Sequence, residues 1–280
     1  MQYQTGRYAQ AQKTLNNLTA KGLASGDIYS LLGWCQFRQG QFEEAVRALE
    51  RAVGLEPQKE GLQLDLGTIL ADRRPKLTAA LQIAKGAVQQ FPDSYQSFQL
   101  KGMVETQLAH YQDAVQSYLR AHQLNPSAAD VNVGLAVAQW GAGLREEALA
   151  TFEHGLHQFP KDPEQLQEYA RVLLKMAEEG DQSAESRAIS LLKRAISLDD
   201  SQPEPFYQLG SLELAKGNAQ ESLELLKRAI ELDPKGSKVH FALSRAYRRL
   251  GRQEDAEKEF QLYESLRLEE QEDRRTPEPQ

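Results

Sequence analysis

The sequence of 280 residues contains a single cysteine, Cys35, and this scarcity excludes a framework of disulfide bonds within one chain. No apolar run approaches the roughly 20 residues that a membrane-spanning helix needs, which argues against membrane insertion. Residues 1–6 lack a positively charged segment followed by an apolar stretch, so we expect no signal peptide. A cytoplasmic location is therefore favoured, while a periplasmic location would fit a chain excised from a longer protein.

Basic residues are fewer than acidic residues. The chain has 33 Lys and Arg residues against 40 Asp and Glu residues, a net charge of −7. Nonspecific binding to nucleic acid depends on contacts between Lys or Arg and phosphate, so the sequence predicts no nucleic-acid partner. No segment reads as a strand, and hence no glycine-rich phosphate loop follows one.

Catalytic and metal-binding patterns are equally scarce. His154 and His157 are three residues apart, with Glu153 beside them and His122 on an earlier helix, but this is not a zinc-binding spacing. Cys35 falls on the apolar face of a predicted helix, where a thiol acts as a small buried hydrophobe. We therefore predict that the chain is not an enzyme and binds no metal and no cofactor.

A regular repeat is what the sequence does have. Short side chains recur along it at Ala11, Ala45, Ala80, Ala114, Ala148, Ala188, Ser222 and Ala256. The gaps between them are 34 or 35 residues, except for one gap of 40. A fixed period of this length indicates stacked supersecondary units rather than one globular core.

One copy of the repeat, residues 26–59, shows what the unit is. Its first half keeps apolar residues at helical spacing until Gly40 interrupts the pattern, and a second helical segment follows until Pro57. The small residues Gly33 and Ala45 would let the two helices approach closely. Two amphipathic helices joined by a tight turn form a helical hairpin.

These units resemble the tetratricopeptide repeat over residues 3–268. The third copy carries the pattern at Phe98, Gly102, Tyr111, Ala114, Tyr118, Ala121 and Pro126, and the sixth at Phe206, Leu209, Gly210, Ser222, Leu226, Ala229 and Pro234. The resemblance implies an all-α, right-handed superhelical solenoid of stacked antiparallel helix-turn-helix repeats. The composition, rich in Ala, Gln, Leu and Arg, favours a bacterial source.

The period divides the chain into seven repeats with a partial unit in front. We assign residues 1–25 to the second helix of an incomplete first repeat, and the complete repeats to 26–59, 60–94, 95–128, 129–162, 163–202, 203–236 and 237–270. The second repeat has Arg73-Arg74-Pro75 where its glycine turn is expected. The fifth has six extra residues near Glu178, and we predict that they lengthen the turn between its helices.

The two ends of the stack differ. The last repeat has Glu257 and Glu264 where other repeats have apolar residues, so we predict a polar cap there and a disordered tail over residues 271–280. At the front, Leu15 and Leu18 lie on the face that would pack against a first helix. We expect that this face is covered by upstream chain or by another subunit.

In the family that the chain resembles, the first helix of each repeat lines a concave groove that binds peptides. Mapping by repeat position places the following candidate peptide-binding residues on or near it: Trp34, Phe37, Met103, Val133, Val137, Trp140, Arg171, Lys175, Tyr207, Phe241, Arg245, Arg248 and Arg249. Aromatic and arginine side chains dominate binding energies at interfaces. They predict a peptide partner with apolar side chains and some acidic groups.

Some members of that family bind the C-terminal carboxylate of a chaperone through Lys and Asn near the repeat glycine. Here Trp34 follows Gly33 and Met103 follows Gly102, so this mechanism is not expected. The leading hypothesis is a non-enzymatic scaffold that binds peptide segments of partner proteins. The alternatives are a regulatory or substrate-selecting arm of a larger enzyme, such as a glycosyltransferase or kinase, and an adaptor in envelope assembly.

Overall fold

The computed structural model describes residues 7–275, apart from the side chains of residues 270 and 272–275, and every regular element in that range is helical. The α-helices are α1 (Tyr8–Ala20), α2 (Gly26–Phe37), α3 (Phe42–Leu55), α4 (Glu60–Ala71), α5 (Leu77–Gln90), α6 (Tyr95–Gln107), α7 (Tyr111–Leu124), α8 (Ala129–Gly141), α9 (Arg145–Gln158), α10 (Pro163–Glu178), α11 (Gln182–Leu198), α12 (Pro203–Lys216), α13 (Ala219–Leu232), α14 (Ser237–Arg249) and α15 (Gln253–Arg275). The predicted all-α class is confirmed.

The chain forms two compact units. Unit 1 is Met1–Leu144 and includes α1 to α8; unit 2 is Arg145–Gln280 and includes α9 to α15. Within each unit, consecutive helices pack as antiparallel hairpins, and each hairpin packs on the next. We call the leading helix of a hairpin its first helix and the other its second helix.

The repeated small residues make the close packing of each hairpin possible. In α2, a Cβ atom added to Gly33 would lie 2.8 Å from Leu49 Cγ and 3.1 Å from the carbonyl oxygen of Ala45. Ala45 itself is fully buried. The other small residues of the series are buried in the same way: Ala11, Ala80, Ala114, Ala148, Ala188, Ser222 and Ala256. Larger side chains at these positions would hold the helices apart.

The first helices form the inner side of each stack. In unit 1, α2 contacts α4, α4 contacts α6 and α6 contacts α8, and in unit 2 α10 contacts α12, which contacts α14. Successive second helices of the same unit, in the described residues, make no comparable contacts. Because first helices lie closer together than second helices, each stack curves with its first helices on the concave side.

The extra residues of the fifth repeat do not lengthen its turn, so that prediction is wrong. They extend the helices instead: α10 has 16 residues and α11 has 17. The turn stays short because Gly180 adopts a positive φ of 112° and Asp181 accepts a hydrogen bond from the backbone of Ser183 at the start of α11. In the second repeat, by contrast, residues 74–76 form a 3-10 turn between α4 and α5.

The C-terminal helix is longer than predicted. α15 continues to Arg275, so residues 271–275 are helical rather than disordered; the Glu- and Arg-rich sequence there consists of good helix formers. Residues 276–280 lie outside the described residues. Glu257 and Glu264 are exposed, whereas Val46 and Leu223, at the place equivalent to Glu257, are buried.

Across residues 7–275, none of the helices is both long enough and apolar enough to cross a membrane.

Candidate functional site

A cavity of about 470 Å³ lies on the concave side of unit 2, between the first helices α10 and α12. Three of the predicted peptide-binding residues line it together: Arg171 and Lys175 from α10 and Tyr207 from α12. Leu174 and Leu212 supply apolar wall from the same two helices. We call this space the α10–α12 cavity.

The charged side chains at the α10–α12 cavity are mostly paired. The guanidinium of Arg171 lies 2.6 Å from the carboxylate of Glu168, one turn earlier on α10. On the opposite wall, the carboxylate of Glu204 lies 2.5 Å from Lys238 Nζ, which sits 4.7 Å from the centroid of the Tyr207 ring. Pairing of these charges leaves the cavity suited to a mainly apolar side chain with polar groups at its edge.

Lysine and glutamate form a further pair beside the cavity. Glu185 of α11 lines it and lies 2.8 Å from Lys216 Nζ at the end of α12. The hydrogen bond to Glu185 raises the pKa of Lys216, so the Lys216 ammonium stays charged at neutral pH. Lys175 is exposed at the rim.

The predicted residues of α14 have three different environments. Phe241 is 39% exposed and its ring centroid lies 5.0 Å from that of Tyr263 on α15, while Arg245 lies over Phe241. Arg248 is exposed. Arg249 donates a hydrogen bond to the backbone carbonyl of Leu214, 35 residues earlier. Arg249 is also exposed, so this hydrogen bond commits only part of its guanidinium to the end of α12, and its availability to a peptide stays a prediction.

Tyr263 was missed by the sequence analysis although a signal was present. It stands at a position that holds a small buried residue in the preceding repeats: Ala52, Ala87, Ala121, Gly155, Ala195 and Ala229. A large aromatic residue at the end of such a series is an exception to the pattern, in which this position is small and buried. Arg267, one turn further along α15, lies over the Tyr263 ring and was missed as well.

Unit 1 has a smaller cavity on its concave side. It measures about 230 Å³ and is lined by two predicted residues, Phe37 of α2 and Met103 of α6, together with Ile69 of α4. Trp34 packs edge-on against Phe37 with ring centroids 5.9 Å apart and is half-buried. These three predicted side chains therefore lie near one another, and two of them share a cavity.

The predictions for α8 are partly wrong. Val133 is only 4% exposed, so its placement on the peptide-binding surface is wrong. Val131, Leu135 and Ala138 of α8 are also buried, and a helix that is apolar on nearly all sides has no polar stripe to mark which face is outside. Val137 and Trp140 of the same helix are half-buried.

The described side chains include no group of three or more His, Cys, Asp and Glu residues placed to hold a metal ion. Cys35 is fully buried, and burial raises the pKa of its thiol, which keeps the thiol in its unreactive protonated form.

Comparisons with known proteins agree with this architecture. Two family models described as tetratricopeptide repeat match the chain, one over residues 2–60, 36–95 and 207–268 and the other over residues 105–177. The structure resembles the crystal structure of yeast Tom70 with a TM-score of 0.73 at 17% identity, covering 92% of this chain and 55% of that chain. At that identity the likeness concerns the fold alone.

Two curated proteins share parts of the sequence. The peroxisomal targeting signal receptor of Yarrowia lipolytica is 24% identical over 164 residues, which is 56% of this chain and 27% of the receptor. The rhomboid protease GluP of Bacillus subtilis is 32% identical over 71 residues, which is 25% of this chain and 14% of the protease. The chain thus spans about a quarter or less of the length of these curated relatives.

Proposed function

Because this chain belongs to the tetratricopeptide-repeat family, whose stacked hairpins serve as protein-interaction scaffolds, we propose that it binds peptide segments of partner proteins on the concave sides of its two units. The observation that carries this proposal is the α10–α12 cavity. Arg171, Lys175 and Tyr207 were predicted from repeat position alone, and all three line that one space of about 470 Å³.

The lining of the α10–α12 cavity determines what enters it. Leu174, Leu212 and the Tyr207 ring offer apolar surface, while Arg171 and Glu204 at its edge are already paired. Burying an aromatic or aliphatic ligand side chain against such a wall supplies most of the binding energy in a small interface. The proposed ligand residue is therefore aromatic or aliphatic, and the rim Lys175 favours an acidic neighbour.

The shape of the site favours an extended peptide over a helical one. α10 and α12 contact each other, so the furrow between them is narrow. A helix with its side chains is about 10 to 12 Å across and would rest on top of the furrow rather than enter it. An extended chain points alternate side chains into a surface and can place one of them in the α10–α12 cavity.

A matched pair of substitutions tests the proposal. Ala215 is exposed and lines the cavity, so Ala215→Trp would fill it, whereas Ala150→Trp adds the same side chain to an exposed position on the second helix α9. The probe is a fluorescein-labelled nonapeptide with Asn-Gln-Phe-Gln-Asn at its centre, followed by fluorescence anisotropy. We expect Ala215→Trp to weaken binding by at least about tenfold and Ala150→Trp to leave it unchanged.

The same measurement can reject the site. A nonapeptide with Ala in place of Phe should bind at least about tenfold more weakly to the unaltered chain, since it has no side chain to bury. Equal binding of the Phe and Ala peptides, or undiminished binding to the Ala215→Trp variant, would show that the α10–α12 cavity is not where peptides bind. Circular dichroism of each variant checks that the helices are intact.

A second candidate function is favoured by one observation, the match to the rhomboid protease GluP. We propose as the alternative that the chain is the partner-selecting arm of a larger enzyme. Sequencing the gene on both sides of the region that encodes these residues tests it. A continuous reading frame that encodes a catalytic domain would support the alternative, and stop codons directly on both sides would exclude it.

A further inference from the structure

Unit 2 has a second surface with aromatic and basic side chains, formed by α14 and α15. The rings of Phe241 and Tyr263 pack with centroids 5.0 Å apart, and Phe260 lies 5.8 Å from Tyr263. Arg245 lies 5.9 Å from the centroid of Phe241, and Arg267 lies 5.9 Å from that of Tyr263. Each guanidinium thus covers one ring of a partly exposed aromatic pair.

A third arginine belongs to the same surface. Arg248 is exposed and follows Arg245 by three residues on α14, and this spacing places both side chains on one side of the helix. We call Arg245, Arg248, Arg267, Phe241 and Tyr263 the α14–α15 patch.

The arginines of the α14–α15 patch differ from the other described arginines of unit 2 in what they bond to. Those others pair with a carboxylate or donate to a backbone carbonyl: Arg145 to Glu179, Arg171 to Glu168, Arg187 to Glu153, Arg194 to Pro160, Arg228 to Glu231, Arg249 to Leu214 and Arg252 to Asp255. Arg245, Arg248 and Arg267 have no such acceptor in the described part of the unit.

The exposed acidic side chains that the structure describes on α15 do not pair with these arginines. Glu257 and Glu264 are both exposed on α15, but neither forms an ion pair with the patch. A guanidinium that lies over an aromatic ring keeps the N–H donors at its edge free, and their fork matches the two oxygens of a carboxylate. The donors of Arg245 and Arg267 are therefore held over their rings and are available to a ligand.

We propose that the α14–α15 patch docks an acidic segment of a partner protein, in which carboxylates flank one aromatic or aliphatic side chain. The carboxylates bind the edges of Arg245, Arg248 and Arg267, and the apolar side chain packs on the exposed part of Phe241. This surface is separate from the α10–α12 cavity, and neither proposal depends on the other.

The experiment uses the full chain carrying Ala215→Trp, so that binding in the α10–α12 cavity does not contribute. The probe is a fluorescein-labelled nonapeptide with Asp-Glu-Phe-Glu-Asp at its centre, and its neutral counterpart has Asn-Gln-Phe-Gln-Asn. We expect the acidic peptide to bind at least about tenfold more tightly than the neutral one at low salt, and an increase in salt to weaken its binding.

Charge reversal locates the binding surface. The triple variant Arg245→Glu, Arg248→Glu and Arg267→Glu should lose acidic-peptide binding by at least about tenfold. The control reverses three exposed lysines elsewhere on unit 2, Lys161→Glu, Lys193→Glu and Lys227→Glu, which changes the net charge equally. It should bind within about twofold of the parent chain. Replacing the three arginines by lysine keeps the charge but loses the planar fork, and should weaken binding by an intermediate factor.

Four results would overturn the proposal. The neutral peptide could bind as tightly as the acidic one, or both charge-reversal triples could weaken binding to the same extent. A labelled single-stranded oligothymidylate could bind the patch more tightly than the acidic peptide, which would assign it to nucleic acid. Acidic-peptide binding that appears only after residues 270–280 are deleted would assign the patch to the chain's own C-terminal end.

Discussion

The first helices of the two units have the same packing but opposite charge. Those of unit 1, α2, α4, α6 and α8, contain five acidic residues, Asp27, Glu60, Asp65, Glu105 and Asp130, and one basic residue, Lys101. Those of unit 2, α10, α12 and α14, also contain five acidic residues, Glu164, Glu168, Glu178, Glu204 and Glu213, but seven basic residues, Arg171, Lys175, Lys216, Lys238, Arg245, Arg248 and Arg249.

The packing beneath these side chains is nearly identical. Gly33 in unit 1 and Gly210 in unit 2 hold the same repeat position, and a Cβ added to either would lie 2.8 Å from the Cγ atom of the facing leucine, Leu49 or Leu226. Both leucines are fully buried. The repeat pattern therefore determines the helical scaffold, while the side chains on the concave side can differ between units. For this reason the fold alone does not determine which ligand is bound.

The largest expected effect tests whether the scaffold is equivalent in the two units. Leu49→Ala and Leu226→Ala each remove the same buried side chain at the same repeat position, and each should lower the free energy of unfolding by about 2 to 5 kcal/mol. Urea denaturation followed by circular dichroism measures both. If one variant lost less than about 1 kcal/mol while the other lost the expected amount, the two units would not share a packing scheme.

The next prediction concerns a place where unit 2 departs from unit 1. Tyr169 of α10 stands where unit 1 has Leu32; its ring stacks on Phe152 with centroids 4.9 Å apart and its hydroxyl donates to Glu153. We expect Tyr169→Phe to cost about 1 to 2 kcal/mol at pH 8, because a partly buried hydrogen bond to a carboxylate is lost. Urea denaturation at pH 8 measures this.

The pH dependence sharpens the same prediction. Burial, followed by the bond to Glu153, raises the pKa of Tyr169, so the folded state favours the neutral phenol. This contribution to stability is complete below the unfolded pKa of about 10 and is lost as the pH rises above it. The unaltered chain should therefore lose more stability than Tyr169→Phe between pH 8 and pH 10.5. Equal losses would contradict the assignment.

A smaller effect on stability should distinguish an arginine that stabilises the fold from an arginine that is proposed to contact a ligand. Arg249→Ala removes the hydrogen bond to the carbonyl of Leu214 and should cost about 1 kcal/mol. Arg245→Ala, four residues earlier on α14, should change stability by no more than about 0.5 kcal/mol. Thermal denaturation of the two variants side by side measures the difference, and the reverse ranking would show that the roles are exchanged.

The smallest effect is expected on the second helices, away from the concave side. Arg47 pairs with Glu44 in unit 1 and Arg228 pairs with Glu231 in unit 2, and all four side chains are exposed. Exposed pairs of this spacing contribute little, so Arg47→Ala and Arg228→Ala should each stay within about 0.5 kcal/mol of the parent chain in urea denaturation. A loss above about 1 kcal/mol from either would show that the outer surfaces of the units differ too.

Much of the fold could be predicted because it depends on local, repeated signals. Ala45, Ala80 and Ala114 recur at one period and are all fully buried, since the close approach of two helices leaves no room for a larger side chain. The extra residues of the fifth repeat were placed in the wrong element because their count alone does not tell whether they extend a turn or the helices beside it.

The candidate site was less predictable because it depends on contacts between distant residues. The grouping of Arg171, Lys175 and Tyr207 follows from repeat position, which is a sequence property. Nothing local indicates that Arg249 donates to a carbonyl 35 residues away, or that Tyr263 packs on Phe241 across a hairpin. Both contacts depend on the three-dimensional positions of side chains that are far apart in the sequence.

The most direct test of the central claim, that the concave side of unit 2 binds peptides, is a crystal structure of the chain with the bound Asn-Gln-Phe-Gln-Asn peptide. We expect the phenylalanine side chain of the peptide to lie between α10 and α12, against Leu174 and Tyr207. A peptide bound instead to the second helices α9, α11 or α13 would show that the concave side of unit 2 is not the binding surface.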